Sequence, residues 1–144
     1  MNAKSYTFLK RGTTHVLSAY RFLIGFLFIQ HGLQKILGLL GATMHPEPFS
    51  LLWVAGMFEL IGGVLLMIGL FTRSTAFVLS GFMAVAYFMV HAPNGFWPIN
   101  NMGELAALYS FSFFLLIFFG GGKWSIDAIL CGEYACCEEK EKKK

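Results

Sequence analysis

Four long apolar segments fix what this chain can fold into. They run over residues 16–38, 50–70, 74–91 and 102–120. Each is close to the roughly 20 apolar residues that a helix needs to cross a bilayer. The composition agrees, because 56% of the residues are hydrophobic and only 13% are charged, as expected of a protein surrounded by lipid. The sequence therefore predicts an all-α integral membrane protein.

The connections between these segments predict how the helices are arranged. Only Phe71, Thr72 and Arg73 separate the second and third segments, so these two helices must form an antiparallel hairpin. An up-down four-helix bundle is the simplest arrangement of the whole. We expect one domain over residues 1–130 and a charged tail over residues 131–144. The first segment is too long for a signal peptide and contains Arg21, so we expect it to be retained.

The basic residues predict the orientation in the membrane. Nine of the eleven Lys and Arg residues precede the first segment, lie in the second loop or follow the fourth segment. The other two, Arg21 and Lys35, lie inside the first segment, and the first and third loops have none. Because basic loops stay in the cytoplasm, both termini are predicted to be cytoplasmic. The net charge of +3 reflects this topology, and we expect no nucleic-acid partner.

Helical spacing places polar side chains of the first two segments on one face each. In the first segment, Arg21 and Lys35 lie on a stripe with two glycines and Phe28, and His31 lies one turn before Lys35. In the second segment, Glu59 is surrounded by small residues, which let a neighbouring backbone approach closely. We therefore expect Glu59 to face another helix.

The other two segments carry similar stripes. Ser80, Ala84, Tyr87 and His91 align along the third segment, and Glu104 begins a stripe continued by Leu108, Phe111 and Leu115 in the fourth. An ionisable side chain in hydrocarbon requires a partner, a cavity or a function. The sequence thus predicts an outward-facing ligand pocket with these candidates: His31, Lys35, Glu59, Tyr87, His91 and Glu104. No metal site is predicted.

Each candidate also has a purely structural interpretation. Lys35 can extend toward the lipid headgroups, and Glu59 can form an internal ion pair with Lys35 or Arg21. Asn101 and Glu104 have the spacing of a helix capping box. His31 can be a hydrogen-bonded packing residue, and the hydroxyls of the third segment can bond across helices.

Four further polar residues are predicted to be structural. Arg21 lies near the cytoplasmic end of the first helix, where Asp127 or a helix-end carbonyl can meet it. Ser125 has the position of an N-cap for a short helix with Asp127 in its first turn. Arg73 is interpreted as a topological and capping residue.

Four motifs in order resemble the DoxX/DoxD family of small four-helix membrane proteins. They are His31-Gly-Leu-Gln-Lys35, Glu59-Leu-Ile-Gly-Gly, Ile68-Gly-Leu-Phe-Thr-Arg73 and Gly120-Gly-Gly-Lys-Trp-Ser-Ile-Asp127. Some members of that family look like membrane subunits of sulfur-compound:quinone oxidoreductases. The resemblance implies a redox-linked role in a bacterial or archaeal inner membrane.

Three functions remain open at this stage. The first is an oxidoreductase subunit that binds quinone, whose carbonyls need hydrogen-bonding and proton-donating groups in an apolar slot. The second is a non-catalytic accessory subunit of a membrane complex, and the third is a small-solute transporter. The chain has no covalent haem, iron-sulfur or nucleotide motif, so we expect a membrane or peripheral partner to carry the redox cofactors. Cys131, Cys136 and Cys137 are predicted to be reduced thiols without a metal.

Overall fold

The protein is all-helical where its structure is described. The computed structural model describes residues 3–41 and 46–131, with side chains from 12 to 41 and from 46 to 130. No β-strand occurs in these ranges, so the prediction of an all-α fold is confirmed. The helices are α1 (Ala3–Leu37), α2 (Leu51–Ile68), α3 (Thr72–Ala86), α4 (Glu104–Phe119) and α5 (Ile126–Cys131).

Three helical stretches are long and apolar enough to cross a membrane. They are Gly12–Leu37, Leu51–Ile68 and Thr72–Asn94, whereas α4 is apolar but shorter. Helices α2 and α4 begin and end within two residues of the predicted bounds. Helix α1 begins at Ala3, well before the predicted residue 16. Most of the predicted tail, with Cys136 and Cys137, lies outside the described residues.

The third predicted helix differs most in its second half. The α-helix ends at Ala86 and continues as a π-helical turn over Tyr87–His91 and a 3₁₀ turn over Ala92–Asn94. Such turns re-aim side chains relative to a regular helix and are frequent at functional sites. The predicted alignment of Ser80 with His91 therefore does not extend along one straight helix face.

Glycines join α1 and α2 into a tight antiparallel pair. A Cβ atom on Gly25 would lie 2.7 Å from the backbone nitrogen of Met67, and one on Gly32 would lie 2.6 Å from the backbone nitrogen of Leu60. The two glycines are seven residues apart in α1, and the residues that they face, Met67 and Leu60, are seven residues apart in α2. The order is reversed because the two helices are antiparallel. A Cβ atom on Gly63 of α2 would likewise lie 3.0 Å from the backbone nitrogen of Ile29. The close backbone approach predicted at the small residues around Glu59 is thus confirmed.

Hydrogen bonds join α3 and α4 in a second antiparallel pair. The Ser80 hydroxyl donates to the backbone carbonyl oxygen of Ser110 at 2.9 Å. In return, the Ser110 hydroxyl donates to the backbone carbonyl oxygen of Ser80 at 3.0 Å. At the far end, Arg73 Nη1 donates to the carbonyl oxygen of Ile117 at 2.9 Å, which supports the predicted capping role of Arg73. The packing interpretation of the Ser80 hydroxyl is therefore confirmed.

Aromatic rings fill the space between the two pairs. The Phe28 ring of α1 lies 5.0 Å from the ring of Tyr109 and 4.9 Å from that of Phe113, both on α4. Between α2 and α3, the rings of Phe58 and Phe82 stack with their centroids 5.3 Å apart. Edge-to-face and stacked geometries of this kind stabilise aromatic contacts, so the core depends on ring packing.

The α4 stripe that begins at Glu104 faces outward. Leu108, Phe111 and Leu115 are 62%, 71% and 49% exposed and lie on the outer surface of α4. The buried side of the helix carries Ala106, Tyr109, Ser112, Phe113 and Leu116. Almost every side chain in α4 is apolar, so its hydrophobic pattern carries little information about which face is buried.

A buried arginine of α1 binds the end of α2 and the segment that follows α4. Arg21 is 1% exposed. Its Nε donates to the carbonyl oxygen of Gly121 at 2.7 Å, and its Nη2 donates to that of Trp124 at 2.6 Å. Its Nη1 donates to the carbonyl oxygen of Met67 at 2.6 Å and also to that of Leu66. The prediction that helix-end carbonyls meet Arg21 is confirmed.

The segment after α4 also caps α3. The Asp127 carboxylate accepts hydrogen bonds from the backbone N–H groups of Phe71 and Thr72, both at 2.7 Å. A carboxylate is favourable at this helix start, where the helix dipole is positive. Ser125 Oγ accepts from the backbone N–H of Ala128 at 3.1 Å, which confirms the predicted N-cap of α5. We name this end of the molecule the Arg21 end.

We predict that Gly32→Ala destabilises the protein, because the added methyl group meets the backbone of α2 and no side chain can move away. Overpacking of this kind costs roughly 1–3 kcal/mol. The matched control is Gly81→Ala in α3, where an added Cβ atom meets nothing within 4 Å. Thermal unfolding in detergent should show a lower midpoint for Gly32→Ala alone. Equal midpoints would contradict the close contact.

We also predict that Arg21→Lys lowers the unfolding midpoint, although it keeps the charge. A lysine ammonium is a compact group and cannot donate in the fork that the guanidinium uses, so buried carbonyls of two segments lose their donors. Leaving a buried polar group unpaired costs about 1–3 kcal/mol. The control is Arg73→Lys, which loses one exposed hydrogen bond. A similar shift for both variants would refute the special role of Arg21.

Candidate functional site

An ion pair joins α1 and α2 at the end opposite the Arg21 end. Lys35 Nζ lies 2.5 Å from Glu59 Oε1, and the two side chains are 24% and 6% exposed. Gly56 lies one turn before Glu59, and a Cβ atom there would lie 2.9 Å from Cβ of Lys35. The glycine thus lets the lysine stem lie against α2. The predicted internal ion pair is confirmed, with Lys35 rather than Arg21 as the partner.

The second carboxylate oxygen of Glu59 has no such partner. Within the described part of the chain, Oε2 is buried and makes no hydrogen bond. A buried polar atom without a partner is unfavourable by about 1–3 kcal/mol, and more for a charged group. Buried groups of this kind therefore need a functional or structural explanation. Here the free oxygen is an acceptor available to a ligand or a water molecule.

Two rings complete the surroundings of this carboxylate. The rings of His31 and Tyr109 meet edge to face, with centroids 5.9 Å apart. Tyr109 is 4% exposed and within electrostatic reach of Glu59, and His31 is within reach of Lys35. We call His31, Lys35, Glu59 and Tyr109 the carboxylate cluster. It brings residues of α1, α2 and α4 together.

The sequence analysis missed Tyr109. Its signal was present, because Tyr109 and Ser112 are polar side chains three residues apart in a segment that is otherwise almost entirely apolar. Residues three apart lie on the same side of a helix. Had the face of α4 been chosen by these two side chains instead of by Glu104, the buried side would have been identified correctly.

A second cluster lies where the chain turns from α3 toward α4, and we call it the turn cluster. His91 Nδ1 lies 3.1 Å from the carbonyl oxygen of Asn101. The Asn101 side chain donates to the carbonyl oxygen of Gly95 at 2.8 Å and to the Tyr87 hydroxyl at 3.4 Å. The rings of Tyr87 and His91 stack at 6.3 Å. These polar groups thus hold the turn together.

The predicted capping box does not form. The N-cap of α4 is Gly103, which has no side chain to accept a hydrogen bond. Instead, the side-chain oxygen of Asn101 accepts a hydrogen bond from the backbone N–H of Gly103 at 2.8 Å. This bond stabilises the loop before the helix. Glu104 is exposed in the first turn, where a negative charge favours the helix dipole.

The six candidate residues therefore fall into different environments. His31, Lys35 and Glu59 belong to the carboxylate cluster, Tyr87 and His91 belong to the turn cluster, and Glu104 is exposed. Among the described side chains, no hydrogen bond or ion pair links the two clusters. The described part of the chain also contains no group of three or more His, Cys, Asp or Glu side chains that could hold a metal ion. The carboxylate cluster is the better candidate site, because it contains the free acceptor.

We predict that Lys35→Met destabilises the protein more than Glu59→Gln. Removing the lysine leaves a nearly buried carboxylate without its counter-charge, whereas removing the carboxylate leaves a lysine that is partly exposed and can reach water or headgroups. Thermal unfolding midpoints of both variants and of the double variant test this. Coupling between contacting residues is typically about 0.5–3 kcal/mol. Strictly additive effects would show that the pair contributes nothing.

Comparisons with known proteins identify the family of this chain. The DoxX family model matches residues 16–92. An uncharacterised protein of Haemophilus influenzae is 41% identical over 129 residues, which cover 83% of this chain and 93% of that protein. The Escherichia coli protein named inner membrane protein YqjF is 33% identical over 115 residues, which cover 76% of this chain and 88% of that protein. No solved structure matches the chain. With its apolar helices and these matches, the chain is a membrane protein that belongs to the DoxX family.

Proposed function

We propose that the protein is an inner-membrane subunit associated with an oxidoreductase and that it binds quinone at the carboxylate cluster. In this proposal α1 to α4 cross the membrane as an up-down bundle with both termini in the cytoplasm. The antiparallel contacts of the two helix pairs and the distribution of basic residues support this topology. The name of the Escherichia coli relative supports the inner membrane.

The observation that carries the proposal is the buried carboxylate of Glu59. One oxygen is paired with Lys35, and the other is a buried acceptor without a partner in the described part of the chain. An ionisable residue inside a membrane protein that is not fully paired is a candidate for proton transfer. The redox-linked role implied by the family resemblance gives that proton transfer a purpose.

Each member of the carboxylate cluster then has a distinct task. The imidazole of His31 and the phenol of Tyr109 donate hydrogen bonds to a quinone carbonyl. Glu59 takes up and releases the proton that accompanies each electron, and the positive charge of Lys35 stabilises negative charge on the reduced ring. The electrons come from redox cofactors on a partner protein. His91, the other candidate for the carbonyl, is already bonded to Asn101.

A second candidate is a non-catalytic accessory subunit of a membrane complex. The favouring observation is that many polar groups are satisfied inside the chain. Arg21 donates to four carbonyls, and Ser80 and Ser110 bond reciprocally. In this alternative the Lys35–Glu59 pair only holds α1 against α2, and no small molecule enters the cluster.

We predict that the purified protein binds ubiquinone-1 and that His31→Gln and Tyr109→Phe, which each remove one proposed donor to the quinone carbonyl, weaken this binding about tenfold, the equivalent of one lost hydrogen bond to a strongly polar group. Equilibrium dialysis against the detergent-solubilised protein measures the affinity. His91→Gln is the matched control, because its imidazole belongs to the turn cluster. Unchanged unfolding midpoints show that the variants remain folded.

Two results would contradict the quinone proposal. One is that the wild-type protein binds no ubiquinone-1, and the other is that all three variants bind it equally well. Native mass spectrometry of the protein from its own membrane separates the two candidates, because the chain mass of 16.1 kDa reveals any addition. A bound quinone or redox protein supports the oxidoreductase subunit. A partner without redox cofactors supports the accessory subunit.

A further inference from the structure

The connection between the third helical stretch and α4, residues 95–103, exposes an apolar surface, and we call it the α3–α4 turn. Its side chains Phe96, Trp97, Ile99 and Met102 are 82%, 64%, 71% and 83% exposed. The turn contains no charged residue. Exposed apolar patches mark surfaces that contact a partner or a membrane. None of these side chains belongs to the carboxylate cluster, so this surface has a separate purpose.

The α3–α4 turn runs back along the end of the third helical stretch. A Cβ atom on Gly103 would lie 2.6 Å from the Tyr87 ring and 2.8 Å from Cβ of His91, whereas the stretch continues to Asn94. Helix α4 therefore begins at the level of Tyr87 and His91. The turn connects it to a helix end that lies farther from the Arg21 end.

Helix α4 alone is too short to cross the hydrocarbon core. Its 16 residues extend about 24 Å at the rise of an α-helix, whereas the core is about 30 Å thick. At the Arg21 end α3 and α4 are level, since a Cβ atom on Gly121 would lie 2.8 Å from Oγ1 of Thr72, the first residue of α3. The missing length of α4 therefore lies at the end that holds the turn.

The backbone of the turn bonds largely to the turn itself. The Asn101 N–H donates to the carbonyl oxygen of Trp97 at 3.1 Å, and the Gly103 N–H donates to that of Pro98 at 3.0 Å. The Asn101 side chain, which is 5% exposed, donates to the carbonyl oxygen of Gly95 and accepts from the Gly103 N–H. Polar backbone groups near hydrocarbon need such internal partners, and a loop in water does not.

Two physical limits set the depth of the turn. Irregular backbone that faces lipid does not occur inside the hydrocarbon core. The exposed carboxylate of Glu104 in the first turn of α4 also needs to reach headgroups or water. Both limits place the turn at the boundary of the core, which is the level at which tryptophan rings such as that of Trp97 are enriched in membrane proteins.

We propose that the α3–α4 turn is embedded in the bilayer at the boundary opposite the Arg21 end, with its four exposed apolar side chains among the upper acyl chains. The internal bonds of Asn101 hold it there. The proposal rests on the bundle topology proposed above, in which α4 crosses the membrane. The short span of α4 favours lipid over a protein partner, because it leaves this surface at the level of the acyl chains.

The test uses the fluorescence of Trp97 in the full chain, with Trp53→Phe and Trp124→Phe, in phosphatidylcholine nanodiscs. Lipid with brominated acyl chains quenches tryptophan from within the bilayer, and iodide quenches it from water. We expect the brominated lipid to quench Trp97 strongly and iodide to quench it weakly. Phe111→Trp combined with Trp97→Phe is the lipid-facing standard, because Phe111 is 71% exposed on the outer surface of α4. Free N-acetyltryptophanamide is the aqueous standard.

A pair of alanine variants tests the internal bonds. Asn101→Ala frees the polar groups of Gly95 and Gly103, which then turn to water, so lipid quenching of Trp97 should fall and iodide quenching should rise. Asn94→Ala is the matched control, because its side chain bonds to Val90 within the helical stretch, and it should change neither.

Three results would overturn the proposal. Iodide could quench Trp97 as strongly as the aqueous standard, which would place the turn in water. Neither quencher could reach Trp97, which would show that a second protein chain covers it. Asn101→Ala could behave as Asn94→Ala does. If the brominated lipid fails to reach Phe111→Trp as well, the bundle topology is wrong; if it reaches this standard but not Trp97, only the proposal for the turn is wrong. Failure of ubiquinone-1 binding would not affect these results.

Discussion

The fold depends on one buried guanidinium that bonds to the last carbonyls of α2 and to the segment after α4. The last carbonyls of a helix have no partner within that helix, and an arginine in an apolar interior needs several acceptors. At the Arg21 end, the arginine supplies the donors that these carbonyls need, and the carbonyls supply the acceptors that the arginine needs. Arg21 donates to the carbonyls of Leu66 and Met67 near the end of α2. It also donates to the carbonyls of Gly121 and Trp124 after α4. This single side chain therefore fixes the positions of α1, α2 and the segment after α4. Asp127 extends the arrangement to α3 through its bonds to Phe71 and Thr72.

The two helix pairs are held together by different interactions. In α1–α2, glycines bring backbones into direct contact, as the 2.6 Å approach at Gly32 shows. In α3–α4, the reciprocal bonds of Ser80 and Ser110 connect the helices. Between the pairs, rings such as Phe28 and Tyr109 make the contacts. Phe28 and Tyr109 are only 1% and 4% exposed, so these ring contacts join the two pairs into one packed core.

The sequence predicted the parts of this structure in which a rare residue type lies among apolar ones. Arg21 and Glu59 each identified the buried face of its helix, because a charge in an apolar segment must face inward, and the surrounding glycines indicated the same faces. The α4 face could not be predicted in that way, because Glu104 lies at the boundary, where a charge can face solvent. Asn101 was misjudged for a related reason. Its spacing to Glu104 fits a capping box, but only the three-dimensional turn shows that its side chain bonds to Gly103, Gly95 and Tyr87 instead.

The location of Glu59 follows from these packing rules and also separates it from purely structural charges. Arg21 has a carbonyl for each nitrogen of its guanidinium, as a group that only maintains the fold requires. Glu59 has one partner for two oxygens, although Gly56 and the lysine stem are placed to bring that partner close. Replacing an ion pair by apolar residues is often neutral or stabilising, so stability alone does not explain a half-paired carboxylate. Glu59 is within electrostatic reach of Tyr109, whose ring contacts Phe28 between the two helix pairs. In the function proposed here, this unpaired oxygen of Glu59 is the atom that takes up and releases a proton.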